Sequence, residues 1–258
     1  LFTKYDFRDY YYTKGFEANI FSEVFPILSL GAGYQSKIDK SAKNNSNFSF
    51  FNRDKKFPSN QPIFDVKTNS ITTSFKVDYR KYIEDGFFRR RITPRNNIIF
   101  EGSFLFSDKK ILGSNLNFTQ FNLEAYGRLS TIGNWSLDFY GNKVFSDGSV
   151  PLQMLYALPG NINAASKNNT FRTLQIGEVF GDEVTTVFLQ HNFQDGLFRL
   201  LQIPFLSDLQ LQLSTHLNIA ISDVSKKSAE ILFTCLLYTY PSPRDRTRYR
   251  MPSSAWKK

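Results

Sequence analysis

The chain has 258 residues, of which 41% are hydrophobic, and its formal net charge is +9 at pH 7. This length suits one large domain or two small ones, and the hydrophobic share is that of a chain that folds. No run of about 20 apolar residues occurs, which excludes a transmembrane helix. The single cysteine excludes an internal disulfide framework.

Much of the positive charge lies in the last 24 residues, which hold six basic residues and one acid. Without that stretch the net charge is +4. The remainder therefore lacks the strongly basic character of a nucleic-acid-binding chain, and no nucleic-acid partner is expected.

Alternation of apolar and polar residues dominates the first 234 residues and predicts β-strands. In the stretch 71–82, for example, Phe75 and Val77 fall on one face and Lys76 and Asp78 on the other. The same pattern predicts about nine strands. They are 15–24, 27–35, 71–82, 97–107, 117–129, 131–144, 171–180, 184–193 and 208–222. The predicted fold class is therefore all-β.

Strand length and connection length together favour a membrane barrel. Several predicted strands exceed the usual five or six residues and match the 9–11 residues of a tilted membrane-crossing strand. Long links are predicted after every second strand, and Asp85-Gly86 predicts a tight turn. The long links are 36–70, 108–114, 145–170 and 194–207. This asymmetry is typical of outer-membrane barrels.

We therefore predict an antiparallel transmembrane β-barrel whose apolar face meets lipid and whose polar face lines an interior. The barrel is expected to be incomplete, because about nine strands do not make the even number of a bacterial barrel. A soluble sheet would instead bury its apolar face, so burial of Leu209, Leu211 and Leu213 under a second layer of protein would contradict the prediction.

Two groups of charged residues are candidate functional residues. The first shares the polar phase of neighbouring strands and would line the interior, where it braces the barrel or tunes passage; bracing is the preferred interpretation. Its members are Lys76, Asp78, Arg80, Glu124, Arg128 and Asp138. The second group could contact phosphates of lipid headgroups or lipopolysaccharide, although a solvated loop is the preferred interpretation. Its members are Arg89, Arg90, Arg91 and Arg95.

No motif for catalysis, cofactor binding or metal binding is present in the sequence. His191 and His216 lie in predicted strands without a second metal ligand at a suitable spacing. The Gly31-Ala32-Gly33 stretch forms a lone GxG, which a strand bend or close backbone packing explains better than a nucleotide site. We expect no enzymatic activity, no cofactor and no metal.

One stretch, 150–213, carries a specific resemblance. Its features are Val150-Pro151, Pro159-Gly160-Asn161, Glu178-Val179-Phe180, His191-Asn192-Phe193 and Ile203-Pro204-Phe205-Leu206. This pattern resembles outer-membrane barrels of unknown function that often follow a carboxypeptidase-regulatory-like domain. Those barrels are distantly similar to the BamA-like surface-antigen superfamily, and the resemblance extends over 1–233.

The resemblance implies a Gram-negative outer membrane, with lipid and lipopolysaccharide as surroundings and periplasmic or envelope proteins as partners. It implies a role in envelope biogenesis or transport. The Arg-Gly-Phe loop motif of BamA-like proteins does not occur in this sequence, so the resemblance does not extend to insertase activity. Two alternatives stay open: a TonB-dependent receptor or porin-type barrel for solute uptake, and a secreted β-sandwich binding module.

The closing residues 235–258 resemble something different. "CLLYTYPSPRD" is similar to the translation of a transposase mosaic-end adapter used in sequencing libraries, and "RMPSSAWKK" to the far end of that adapter running into poly-A. We therefore expect a partial barrel over 1–234 and a disordered read-through over 235–258. The chain is expected to be an open reading frame cut at both ends.

Overall fold

The computed structural model describes residues 10–42, 63–80, 82–86, 88–92, 94–161, 168–202, 205–206, 209 and 211–230. Strands dominate these ranges, as the alternation predicts. In chain order the strands are β1 (Tyr11–Phe25), β2 (Leu28–Ser41), β3 (Val66–Asp78), β4 (Tyr82–Asp85), β5 (Phe88–Arg91), β6 (Asn97–Ser107), β7 (Phe118–Ser130), β8 (Ser136–Gly148), β9 (Tyr156–Ala157), β10 (Phe180–Gly181), β11 (Glu183–Gln194) and β12 (Leu213–Asp223). A 3-10 turn spans Leu152–Met154, and a short helix, α1, spans Gly196–Leu200. The all-β class is confirmed.

Eight of the strands form one antiparallel sheet in the order β1-β2-β3-β6-β7-β8-β11-β12. Each strand pairs with the next long strand along the chain, which makes the sheet a meander. The pairs β4–β5 and β9–β10 form two small separate sheets. Strands β1 and β12 lie at the two edges and do not pair with each other in the part of the chain that the structure describes. The described sheet is therefore open.

Alternation gives the large sheet two chemically different faces. One, the polar face, carries residues such as Lys76, Glu124 and Asp138, and the strand register places them on the same side. The other, the apolar face, is lined by large hydrophobic side chains from every strand of the sheet. Among them are Ile20, Leu30, Ile71, Phe104, Phe121, Phe145 and Ile219.

The buried hydrophobic residues of the sheet lie on the polar face. They are Val66, Ile99, Phe118, Val144, Val184 and Phe188. Side chains on the apolar face remain open instead, and Ile20 and Leu217 are 77% and 52% exposed. In a soluble sheet the apolar phase would be the buried one. Here the chain buries a small core on the side that is otherwise polar.

The segment that builds this core is the link between β8 and β11, described over 149–161 and 168–182 and called here the covering segment. Val150 packs with Val66 and Phe118 in one cluster, and Leu158 packs with Val184 in another. Phe171 of this segment lies against Phe188, with ring centroids 4.8 Å apart. The covering segment thus folds onto the polar face.

The predicted strand 171–180 is wrong. Nine strands were predicted and the large sheet has eight, and this stretch is the one that does not belong to it. Phe171, Leu174 and Val179 are spaced by three and five residues, so they do not alternate, and all three pack against the core of the covering segment. The backbone forms turns, in which the Asn161 amide donates to the Leu174 carbonyl at 2.8 Å. Phe171 makes a single isolated bridge to Gly160, and Phe180–Gly181 pairs with β9.

The other eight predicted strands are confirmed, and all but one of them have shifted ends. The interval 97–107 coincides with β6, whereas the predicted 208–222 begins five residues later, at Leu213. Leu209, Leu211 and Leu213 are 54%, 45% and 39% exposed, so no second layer buries them.

The distribution of links agrees in part with the prediction. The strand ends that flank the links 42–65, 108–117 and 149–182 lie at one end of the sheet, but those that flank 195–212 lie at the opposite end. The two-residue link 26–27 and the link 131–135 share that opposite end. The predicted turn at Asp85-Gly86 is confirmed: it joins β4 to β5, with Gly86 at a φ of +56°. The closing residues 235–258 lie outside the described residues.

Candidate functional site on the polar face

Cross-strand pairing arranges the polar face into three adjacent rows of directly opposed residues. The carboxylate row is Lys76, Glu101, Glu124, Asn142 and Thr186. The aromatic row is Ile99, Tyr126, Tyr140, Phe188 and Asn218. The arginine row is Asn97, Arg128, Asp138, Gln190 and His216. Successive rows are two residues apart along each strand, so all three face the same side.

The carboxylate row sets two acids directly opposite each other. Glu101 and Glu124 are Cα partners on β6 and β7, and like charges in that position are destabilising. Lys76 Nζ lies 2.6 Å from Glu101 Oε1, and the Tyr126 hydroxyl donates to the same oxygen at 2.6 Å. Neighbouring donors therefore offset the repulsion.

Glu124 is held by uncharged donors. The amide of Asn122 donates to one carboxylate oxygen at 3.0 Å, and the Tyr140 hydroxyl donates to the other at 3.2 Å. Asn142 in turn donates to Asn122 at 2.7 Å. Side chains of β7 and β8 are thereby tied together across the face.

The arginine row contains a fork-shaped ion pair. Arg128 donates through both Nε and Nη2 to Asp138, the latter at 3.0 Å. Asn192 on β11 donates to the same carboxylate at 2.9 Å. Two parallel hydrogen bonds between a guanidinium and a carboxylate fix the relative orientation of the two side chains and also strengthen their attraction.

A cavity of about 960 Å³ opens over these rows. Its floor is formed by the strands, from Glu101 and Glu124 to Gln190 and His216, and residues 168–172 of the covering segment form another wall. The floor includes Tyr126 and Tyr140, whose ring centroids are 6.4 Å apart. The cavity thus combines charged, amide and aromatic groups.

Five of the six residues predicted to share a polar phase, all except Arg80, lie on the polar face within strands. Arg80 follows the end of β3 and forms an ion pair with Asp78, at 2.8 Å. The structure divides these residues into separate groups, one around Asp78, one around Glu124 and one around Asp138. Their lining of an aqueous interior stays a prediction.

Sequence reasoning missed Glu101, Tyr126 and Tyr140. The alternation in β6 contained a signal for Glu101, because it is out of phase with Phe100 and Phe104. The pairing of Lys76 with Glu101 could not be found in this way, because the β4–β5 hairpin separates their strands in sequence.

The second predicted group lies in β5 and in the link before β6. Residues 89–91 belong to β5, but their side chains lie outside the described part of the structure. Arg95 is exposed just before β6 begins. Contact of these arginines with headgroups stays a prediction.

The histidines sit in different surroundings. His191 Nε2 lies 3.1 Å from the Thr131 hydroxyl, and its ring packs against Trp135 and Phe193. His216 Nε2 lies 3.2 Å from the Ser214 hydroxyl. Among the described residues, no group of three or more His, Cys, Asp or Glu side chains could hold a metal ion.

A buried carboxylate fastens the covering segment at its far end. Asp182 accepts hydrogen bonds from the amide of Ser225, at 2.8 Å, and from its hydroxyl. Burial acts to raise the pKa of Asp182, but hydrogen bonds from Ser225 and Ser228 outweigh it, and the pKa lies below its ordinary value. The segment after β12 thereby ties down the residue that precedes β11.

Comparison with known proteins adds no assignment, since no family model matches the chain and no curated protein matches it. Within the described ranges, no helix is both long and apolar enough to cross a membrane.

Proposed function

We propose that this chain is part of a transmembrane β-barrel of the Gram-negative outer membrane that admits polar solutes to its interior. The apolar face contacts lipid and lipopolysaccharide acyl chains, and the polar face lines the interior. Closure requires β1 and β12 to pair, with each other or with further strands. The role is passage of solutes, and the broader setting is envelope biogenesis or transport.

The supporting observation is the inverted burial of the two faces. Six hydrophobic residues of the sheet are buried on the polar face, whereas large side chains across the apolar face stay exposed. An exposed apolar surface of this extent in water would be an association site. In a bilayer the same apolar surface contacts the lipid acyl chains, which is favourable.

Aromatic residues near the strand ends give further support. Tyr10 and Tyr12 are exposed at one end of the sheet, and Tyr79 at the other. Trp135 packs beside Phe193 at that second end, with ring centroids 5.1 Å apart. Tyrosine and tryptophan at both limits of an apolar band are typical of the membrane–water interfaces.

The β-sandwich alternative requires a second apolar sheet packed against the first. No such layer lies on the apolar face in the part of the chain that the structure describes. Passage and polar binding are the activities that the polar face favours.

The two faces can be distinguished with spin labels on the edge strand β12. In a Cys235→Ser background, single cysteines would replace Leu217 and Ile219 on the apolar face, and His216 and Asn218 on the polar face. The full chain would be reconstituted in vesicles, and each label's accessibility to oxygen and to a water-soluble nickel complex measured. We expect oxygen to dominate at 217 and 219, and the nickel complex at 216 and 218.

Two outcomes would contradict the proposal. One is equal accessibility at all four positions, which would place neither face in lipid. The other is recovery of the full chain in solution without detergent. Solute passage itself would be measured by swelling of the same vesicles in a neutral solute, with vesicles lacking protein as the control.

A further inference from the structure

The aromatic row is bordered on both sides by hydrogen-bonding side chains. Tyr126 and Tyr140 are directly opposed on β7 and β8, with ring planes 31° apart. Both rings are half-buried and border the cavity. On β7, Glu124 lies two residues before Tyr126, and Arg128 lies two residues after it. A ligand over the two rings would therefore meet polar groups at both margins.

A pyranose ring has the complementary surface. Its C–H groups cover the two faces of the ring, and its hydroxyl groups project around the rim. Aromatic rings offer a large, rigid apolar surface to the C–H faces. Carboxylate and amide oxygens accept from hydroxyl groups, and amide and guanidinium groups donate to them. The three rows place the aromatic rings between two rows of such hydrogen-bonding groups.

Three carboxylates and two guanidinium groups line the cavity: Glu101, Glu124 and Asp138, and Arg128 and Arg172. Lys76 lies outside this lining, but its ion pair offsets the charge of Glu101, as the ion pair with Arg128 does for Asp138. A strongly charged ligand would therefore meet as much repulsion as attraction. A neutral ligand with many hydroxyl groups encounters no such penalty.

The size of the cavity is also suitable. Sites for small molecules measure about 300–1,000 Å³, and this cavity is at the upper end, at about 960 Å³. Phe171 of the covering segment packs on Phe188 and buries it, so the open part of the aromatic row ends at Tyr140. The volume of the cavity beyond the two tyrosines leaves room for more than one sugar ring.

We propose that this cavity binds a neutral oligosaccharide, with Tyr126 and Tyr140 against the ring faces and the two bordering rows on the hydroxyl groups. The inference deepens the proposed function, on which it rests for the solute's access to the interior. The polar face and the cavity are present whether or not lipid covers the apolar face. Binding and membrane insertion can therefore fail separately.

Binding would be measured by isothermal titration calorimetry on the full 258-residue chain in detergent, with maltotriose as the probe. Tyr126→Ala and Tyr140→Ala are expected to raise Kd by about tenfold or more. Tyr140→Phe keeps the ring and is expected to stay within about threefold of the wild-type Kd. Phe121→Ala and Phe145→Ala change the apolar face of the same two strands and serve as matched controls with unchanged Kd.

The proposal is overturned if wild type shows no heat of binding, or if the two alanine variants bind as well as wild type. It is also overturned if trigalacturonic acid or a triglutamyl peptide binds more tightly than maltotriose, since the site would then select charge. If circular dichroism shows that an alanine variant is unfolded, saturation-transfer NMR on the wild-type chain tests the stacking instead. Transfer from aromatic protein protons to the C–H protons of maltotriose supports the stacking, and its absence contradicts it.

Discussion

At the scale of single residues, the polar face is organised by a few side chains that offset an unfavourable pairing. Glu101 and Glu124 oppose each other on adjacent strands, and Lys76 bonds to Glu101. Both members of that ion pair are more than one-third exposed, so solvent screens their attraction. The contribution of Lys76 is therefore modest, and it comes largely through relief of the repulsion between the acids.

A double-mutant cycle measures this contribution. Lys76→Met is expected to lower the free energy of unfolding by about 1 kcal/mol, and the coupling to Glu101→Gln should be about 0.5 kcal/mol. Urea unfolding in detergent, followed by tryptophan fluorescence, is the measurement. Lys227 and Asp147, 3.2 Å apart and both more than half exposed, form the control pair, with coupling near zero. Equal coupling in both pairs would contradict the role given to Lys76.

The buried carboxylate of Asp182 provides a second prediction. Because its pKa in the folded protein lies below the ordinary 3.8, its bonds to Ser225 stabilise the fold above that pH. The stabilisation is lost as pH falls through the lowered pKa. Asp182→Asn should therefore cost about 1–3 kcal/mol at neutral pH, and the difference from wild type should narrow in acid.

Urea midpoints of wild type and variant between neutral pH and pH 2 test this dependence. Asp147→Asn is the matched control, since Asp147 pairs with Lys227 and both side chains are exposed. Its cost at neutral pH is expected to be about 0.5 kcal/mol or less. A gap between Asp182→Asn and wild type that widens in acid would reverse the sign and refute the argument.

At the scale of elements, alternation of apolar and polar residues predicted the strands of the large sheet. The one wrong prediction shows that apolar residues must recur with a period of two, and that a high apolar content is not enough. The interval 97–107 coincides with β6 because Phe100, Phe104 and Phe106 share one phase of the alternation. The stretch 171–180 is rich in apolar residues, but their spacing suits a packed turn. Gly31 illustrates a third case: a Cβ there would meet Phe21 and Ser74 at under 3 Å. The expectation of close packing at this glycine is confirmed.

The candidate site was less accessible to sequence reasoning than the strands were. Alternation assigned Glu124 and Asp138 to one face, but the partner of each depends on the register between strands. Lys76 meets Glu101 only because β3 pairs with β6 past an inserted hairpin. The fold of the covering segment onto the polar face had no periodic signal at all.

The covering segment is expected to behave as a packed element. Leu158 is buried against Val184 and Val144, so Leu158→Ala should lower the free energy of unfolding by about 2–5 kcal/mol. Hydrogen exchange should rise in 149–161 and stay unchanged in β6 and β7. Leu200→Ala, at a residue that is 71% exposed, is the control, with a change of about 0.5 kcal/mol or less. Equal effects of the two substitutions would show that the segment does not pack on the sheet.

At the scale of the whole molecule, the large sheet has a special property: its two edges are long and open. Strand β1 has 15 residues, all of them exposed, and β12 has 11. Each edge presents backbone N–H and C=O groups that can pair with another strand. In detergent, where the apolar face is covered, edge pairing is the remaining route to association. We therefore expect the chain to self-associate there.

Proline at neighbouring positions of β12 tests this expectation, since successive N–H groups point to opposite sides of a strand. Ile219→Pro and Ala220→Pro should differ in outcome. The one whose N–H faces the open edge should leave the pairing with β11 intact and lower the association measured by light scattering. The other should remove a bond to β11 and destabilise the strand. If both variants associate as wild type does, the contact does not involve the β12 edge.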